Sequence, residues 1–463
     1  MTGLPLIIVF ILAFIVMIIM ISKFKIHPFV SIMLISMVLG LIAGIPLTDR
    51  TLEDGTKISG LANVIGAGFS GTFSSIGIVI ILGALIGSIL EATGAALKLA
   101  DIVIKLVGQN NPVLAVELMG WVVSIPVFCD SGFVILNPIR KALVKRTGES
   151  SVAMTVGLAS GLYISHVFIP PTPGPIAAAS TLGIGDNLLL VMGLGVVCSL
   201  FPLIAGFIYA KFIGKRVKAD DELDSGEVVK TYEELVAEYG QLPSGFSSLA
   251  PIIVPIILMA LSSIVTMAKL SGGFVSLINF LGTPIIALAV GTVFAVKQLS
   301  DAGKMADFYK ICNDTLMTVG PILFVTAAGG VLGKVIASSD MVNYISQHAT
   351  VLSTMGIFFP FLLSAILKSA QGSSTVALTT TAGIVAPLLP ILGFTSPVQI
   401  TLVCMAIGAG AMTVSHANDS YFWVVTNFGA MSPERGYKTQ TMNTLVMGLA
   451  AILEIALLSF ILH

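Results

Sequence analysis

Residues 169–175 read IPPTPGP, with prolines at positions 170, 171, 173 and 175. Proline lacks the N–H that a helix needs, and its ring collides with the preceding turn. The chain to its left, SVAMTVGLASGLYISHVF (151–168), is nonetheless apolar helical sequence, and IAAASTLGIG (176–185) resumes it to the right. A helix expected over 151–183 is therefore broken near its middle. In a bilayer such a break persists only where the freed backbone is buried in protein or faces a water-filled cavity. Pro175 suits the first position of a new half-helix, where a missing N–H costs nothing. Ala177, Ala178, Ala179 and Ser180 after it permit tight packing against a neighbour.

The rest of the chain fits that setting. Hydrophobic residues make up 56% of it and charged residues 10%, with a mean hydropathy of +1.01. Soluble domains carry about 25% charged residues, so the fold class is an all-α polytopic membrane protein. A net charge of −1 gives no sign of nucleic acid as a partner. There is no GxxxxGK[ST] motif and hence no built-in ATP engine. The four cysteines (129, 198, 312, 404) are scattered in apolar surroundings without CxxC spacing, and read as buried thiols rather than a metal or disulfide framework. The first apolar stretch lacks a basic leader and a small-residue cleavage site, so it is expected to be a retained span.

Hydropathy predicts spans near 4–22, 27–46, 74–92, 187–213, 249–268, 273–296, 317–336 and 438–461. Four further apolar stretches, 112–143, 151–183, 352–393 and 398–428, carry a polar or Gly/Pro break. A charged stretch at 214–246, holding eight of the 24 acidic residues, separates a first half (1–213) from a second (247–463). Lys and Arg cluster at 23–25, 98–105, 140–146, 211–218, 297–310 and 435–438. The positive-inside rule puts all six on the cytoplasmic side only if 112–143 and 352–393 are re-entrant hairpins. Each half then has about five transmembrane helices, one hairpin and one broken helix, and the halves form an inverted repeat. Both termini fall outside and the 214–246 linker is cytoplasmic. Secondary transporters are commonly built this way, with their sites at the midplane where helices are interrupted.

The breaks carry the candidate site. In the first hairpin Asp130, Ser131 and Gly132 sit between apolar arms, where an aspartate costs about 2.5–3.5 kcal/mol to insert. Asp130 either binds a proton or cation or caps the following half-helix. In the second hairpin Gln371, Gly372, Ser373, Ser374 and Thr375 offer small polar groups and, at a half-helix start, N–H groups suited to an anion. The first broken helix contributes His166, Thr172, Pro173 and Gly174, and the second contributes His416, Asn418, Asp419 and Ser420. Asp419 or Asn418 is suited to capping the second half-helix. Asp130, Asp419, His166 and His416 are the proton-coupling candidates, since imidazole titrates near neutral pH. Glu117, in the leading arm of the first hairpin, is a weaker one. Lys368 is read as snorkelling or paired, Gly83 and Gly87 as a weak close-packing GxxxG, and Glu454 has no evident partner.

The segments FCDSGFVILNPI (128–139), SHVFIPPTPGPIAAAS (165–180), QGSSTVALTTTAGI (371–384) and SHANDSYFWVVTNFGAMS (415–432) together resemble the gluconate:proton symporter (gluconate permease, GntP-type) family of the ion transporter superfamily. The resemblance spans essentially the whole chain. It implies a dimerising scaffold and a transport domain that moves as an elevator and holds both hairpins and both broken helices. It also implies a proton-driven carrier of gluconate, related sugar acids or, in one branch, D-serine. Enteric gluconate permeases tend to have Glu-Val where this chain has Asp130-Ser131, so the substrate need not be gluconate itself. Sodium-coupled relatives keep an Asn in their hairpin tips that is missing here, which favours protons.

The expectation is an inner-membrane, multi-pass symporter, not an enzyme, with no cofactor or metal beyond the coupling proton. It would import a small hydroxylated monocarboxylate by alternating access, as a homodimer in lipid. An antiporter of the same fold is the nearest alternative. An ion channel would need a ring of charges or carbonyls along an open pore. An intramembrane enzyme lacks any nucleophile motif around Ser131.

Overall fold

The computed structural model describes residues 3–51, 55, 57–107, 111–220, 242–267, 270–340, 355–416 and 419–462. The fold is mostly helical. Helices α1 (Gly3–Ser22) and α2 (Pro28–Ile42) form an apolar pair, with the His27 ring accepting from the Phe29 N–H to cap α2. A loop follows in which the two-residue strands Arg50–Thr51 and Lys57–Ile58 pair antiparallel. Within it, Asp49 accepts from the Gly60 N–H at 2.6 Å and from the Asn63 amide at 2.7 and 2.8 Å. These donors anchor the start of α3 (Leu61–Ala92) and hold the Asp49 carboxyl below the usual carboxylate range. The span expected at 74–92 is thus the second part of a 32-residue helix. A short amphipathic helix, α4 (Ala95–Val107), turns off it at Gly94, which has a φ of +75°.

The first hairpin consists of α5 (Pro112–Val123) and α6 (Cys129–Thr147). Its turn is 124–128, closed by Ser124 Oγ donating to the Val127 carbonyl at 2.9 Å. Asp130 and Gly132 therefore lie in the first turn of α6 rather than in the loop. The broken helix consists of α7 (Ser151–Phe168) and α8 (Pro173–Thr181). Its second half begins at Pro173, not Pro175, because Thr172 already has the extended backbone of a cap position. Both prolines fall where helical N–H groups have no partner, so either fits. The expected span 187–213 is divided into α9 (Leu188–Val197) and α10 (Leu200–Gly214). Pro202 has no N–H to return to the carbonyl one turn earlier. Glu454 accepts from the Phe201 N–H at 3.0 Å there, which supplies the partner that hydropathy could not.

In the second half, α11 (Gly245–Met267) precedes α12 (Gly273–Leu281) and α13 (Pro284–Asp301). The span expected over 273–296 breaks because Pro284 disfavours helical backbone at Thr283, whose ψ is 138°. Helix α14 (Phe308–Ala337) is followed by the second hairpin, α15 (Phe358–Gln371) and α16 (Ser374–Val385); positions 352–354 of that hairpin lie outside the described residues. The second broken helix is α17 (Pro397–Met412) and α18 (Ser420–Phe428). A single turn, α19 (Pro433–Gly436), then leads through a π-helical turn into α20 (Met442–Ile461). Six helical stretches are long and apolar enough to cross a membrane among the described residues. The cysteines there are free thiols.

The broken helix α7 is buried along its whole length, and α5, α10 and α17 pack around it. Helices α3 and α14 pair lengthwise on the other side and carry α13 and α2. The two groups meet where Gly83 and Gly87 of α3 touch the breaks. A Cβ on Gly83 would lie 2.7 Å from the Pro171 carbonyl oxygen, and one on Gly87 would lie 2.1 Å from that of Pro126. The GxxxG therefore seats the proline break and the first hairpin turn. Gly87→Ala should destabilise this arrangement by about 1–3 kcal/mol through overpacking, read as a lowered Tm of the detergent-purified protein. An unchanged Tm would mean that this contact is not tight.

Candidate functional site

The centre of the site is an ion pair. Lys368, three residues before the end of α15, places Nζ 2.5 Å from Oδ2 of Asp419, the residue capping α18. Both side chains are buried, 1% and 6% exposed. The same ammonium donates to the Gly372 carbonyl, exposed for this purpose by the left-handed residue that ends α15 (φ +91°). It also stands 5.8 Å from the centre of the Tyr163 ring. Asp419 is further bound by Ser415 Oγ (2.5 Å), Tyr163 Oη (3.4 Å) and the Tyr421 N–H (3.1 Å). The pair and these donors tie the second hairpin, the second break and α7 together.

Beside this buried pair lies a polar surface that is partly open. Asp130 is half-buried; its Oδ1 accepts from Ser420 Oγ at 3.4 Å and its Oδ2 from the Cys129 thiol at 3.8 Å. His416 is half-buried, with Nε2 3.2 Å from both the hydroxyl and the carbonyl oxygen of exposed Ser369. Ser420 is exposed. The first turn of α6 and the start of α18, distant in sequence, thus share one polar edge. Gly174 abuts α16, where a Cβ would meet Leu378 at 2.9 Å and Thr375 at 3.7 Å. The start of α8 therefore borders the start of α16.

Other expected residues have their groups engaged locally. Thr172 Oγ1 donates to the carbonyls of Ile169 (2.7 Å) and His166 (3.1 Å), which the prolines leave without N–H partners. Ser373 caps α16 by accepting from the Val376 N–H at 3.3 Å. Ser374 and Thr375 are buried in its first turn. Gly132 packs on Leu162. Ser131 follows Asp130 in α6, Pro173 starts α8, and Gln371 closes α15. Asn418 lies outside the described residues. The two histidines differ more than their spacing suggested. His166 is buried inside α7, its ring stacked on Tyr163 (6.5 Å) and near Phe128 (6.0 Å), with Nδ1 lacking a hydrogen-bond partner. His416 lies beyond the end of its half-helix.

Sequence reasoning left Lys368, Tyr163, Ser415 and Ser369 out of the site. Lys368 carried a signal, being a cation in an apolar arm just before a tip, but its partner is 51 residues away. No pattern pointed to Tyr163.

Two clefts separate the α3/α14 pair from the hairpins and breaks. One, of about 320 Å³, is lined by Gly68 and Gly71, Ser180 and Thr181, Lys334 and Gly383. The other, of about 300 Å³, is lined by Ser88 and Glu91, Val127 and Phe128, Asp314 and Thr318. Along α3 they are separated by about 30 Å at 1.5 Å per residue, the thickness of a bilayer core. The second ends on the hairpin turn that leads into Asp130.

A profile of the GntP family permease matches residues 4–461. An uncharacterized permease of Haemophilus influenzae is 35% identical over 442 residues, covering 92% of this chain and 86% of the relative. A gluconate permease of Zymomonas mobilis is 29% identical over 447 residues, with 95% and 94% covered. Among solved structures, the YdaH transporter of Alcanivorax borkumensis superposes with a TM-score of 0.64 at 16% identity, over 94% of this chain and 98% of that one, so it shares the fold. The chain belongs to the GntP permease family, a family of membrane transporters rather than enzymes.

Proposed function

We propose that this permease imports gluconate or a related small hydroxylated monocarboxylate across the inner membrane by proton symport. The observation that carries the reading is the buried Lys368–Asp419 pair beside Asp130 and Ser420, where both hairpins and a helix break converge. A substrate carboxylate is drawn there by the ammonium and by the half-helix N-termini of α16 and α18. Substrate hydroxyls meet Ser373, Ser374, Thr375 and Asn418. Asp130 is the preferred proton carrier of the four candidates. Among the described residues it has one hydroxyl and one thiol as donors, whereas Asp419 is committed to a cation and three further donors.

The two clefts at opposite ends of α3 support a reading of alternating access. In this reading the hairpins and broken helices form an elevator-type transport domain that slides on a scaffold containing α3 and α14. The scaffold dimerises. The halves are an inverted repeat, supported by the recurrence of a hairpin followed by a broken helix in each. Both termini are outside and the 214–246 linker is cytoplasmic. The Asp130-Ser131 pair, where enteric gluconate permeases tend to carry Glu-Val, supports a second reading in which the substrate is D-serine or another organic anion.

A thermal-shift screen of purified protein against sugar acids, hydroxy acids and D-serine tests the substrate class. A true substrate at one hundred times its Kd should add about 2.7 kcal/mol of stability. Stabilisation by gluconate or a close sugar acid is expected. Stabilisation by D-serine alone would replace that substrate, and reversed pH-gradient dependence in proteoliposomes would replace symport with antiport.

A further inference from the structure

Glu117 lies away from the substrate site, in the middle of α5. Its side chain is 0% exposed, and neither carboxylate oxygen has a hydrogen-bond partner among the described residues. The helix crossing that buries it is very close, with a Cβ on Gly161 of α7 placed 1.8 Å from the Glu117 carbonyl oxygen. The carboxyl faces α10 at Gly206. The point where a Gly206 side chain would begin is 2.8 Å from Glu117 Oε1 and 2.9 Å from Ser160 Oγ. Asn443 of α20 donates to that same Ser160 oxygen at 2.8 Å, and its own Oδ1 has no partner. The Glu117 carboxylate is thus enclosed at the α5/α7/α10 crossing with no hydrogen bond to it among the described residues.

Among the described residues no charge is paired with it. Lys98 and Lys105 of α4, Asp130 and Arg140 of α6, His166 of α7, Lys211 of α10 and Glu454 of α20 make no hydrogen bond or ion pair with Glu117. Arg140 is engaged instead by Asn137 Oδ1 (2.7 Å), Ser151 Oγ (2.7 Å) and the Ser151 carbonyl (3.2 Å). An isolated carboxylate in such a place is unfavourable, and a bound proton removes its charge.

We propose that Glu117 is a second proton-binding site, distinct from Asp130 and the substrate, whose proton takes part in the transport cycle. Binding is the addition of one proton to one carboxylate oxygen, and release returns it to water. The proposal rests on the proton-symport reading for its role in transport, but not for the state of the carboxyl.

Two measurements separate these parts. Infrared spectra of the full chain in lipid should contain the C=O stretch of a protonated carboxylic acid that Glu117→Gln lacks and Asp130→Asn keeps. In proteoliposomes with an entrapped pH dye, with gluconate and D-serine as probes, Glu117→Gln should take up at least twofold fewer protons per substrate than the parent protein. Glu117→Asp, which keeps a carboxyl group, should regain the ratio. Absence of the band from the parent spectrum, its persistence in Glu117→Gln, or an unchanged ratio overturns the proposal. If the band is present but the parent protein moves no protons with either probe, proton symport fails and Glu117 remains a protonated acid without a transport role, which also overturns the second half of the proposal. Should Glu117→Gln not fold, Glu117→Asp, which moves the carboxyl group on a shorter arm, must shift the band; an unshifted band counts against the assignment.

Discussion

Lys368→Met should abolish uptake and destabilise the protein by about 3–5 kcal/mol, the cost of leaving one member of a buried ion pair without the other. Asp419 would keep Ser415, Tyr163 and the Tyr421 N–H but lose the Lys368 ammonium. The Gly372 carbonyl at the tip of the second hairpin would lose its side-chain donor as well. Asp419→Asn should be equally harmful, because it strands the ammonium against the Tyr163 ring. The double variant Lys368→Met/Asp419→Leu separates the two roles. Replacing both charges with apolar groups of similar size removes the stranded charge, so stability should largely return. Transport should not, since the site then has no cation for a substrate carboxylate. Denaturant unfolding in detergent and uptake into vesicles read the two quantities separately. Near-normal uptake by the double variant would remove the pair from the substrate site and leave it as a structural tie.

For Asp130→Asn the expected loss lies in coupling rather than in binding. One pH unit is worth about 1.4 kcal/mol per proton carried, or about tenfold in accumulation. A carrier that loses the Asp130 proton should therefore accumulate about tenfold less substrate per unit of pH gradient. Exchange of labelled for unlabelled substrate needs no net proton movement and should continue in part. The Ser420 contact at 3.4 Å is long enough that an amide can replace the carboxylate without stranding a strong hydrogen bond. Full accumulation by both Asp130→Asn and Asp419→Asn would exclude these two residues from coupling. Paired with Glu117→Gln, the measurement separates a proton bound beside the substrate from one bound in the α5/α7/α10 core.

The sequence by itself determined the membrane setting, the two hairpins and the two breaks, because each rests on a local rule. Apolar runs of bilayer length, prolines without N–H groups and polar residues within apolar runs can all be read without knowing any neighbour. Asp419 as a cap belongs to the same class, since a capping side chain acts on the N–H two residues ahead. Pairings across the chain are different. The Lys368–Asp419 ion pair, the Ser420–Asp130 contact over 290 positions and the Tyr163–Asp419 contact over 256 depend on how separate helices dock. Hydropathy could flag Lys368, Glu117 and Glu454 as misplaced charges but could not assign their environments. Tertiary packing gave Lys368 an anion, Glu454 a helix N–H, and Glu117 no hydrogen-bond partner among the described residues. The physical reason is that hydropathy scores a residue against lipid, whereas a buried charge is decided by the few groups within hydrogen-bonding distance. IPPTPGP shows the same division: its prolines dictate a break, but only the approach of Gly83 and Gly87 on α3 decides what the break and the neighbouring hairpin turn rest against.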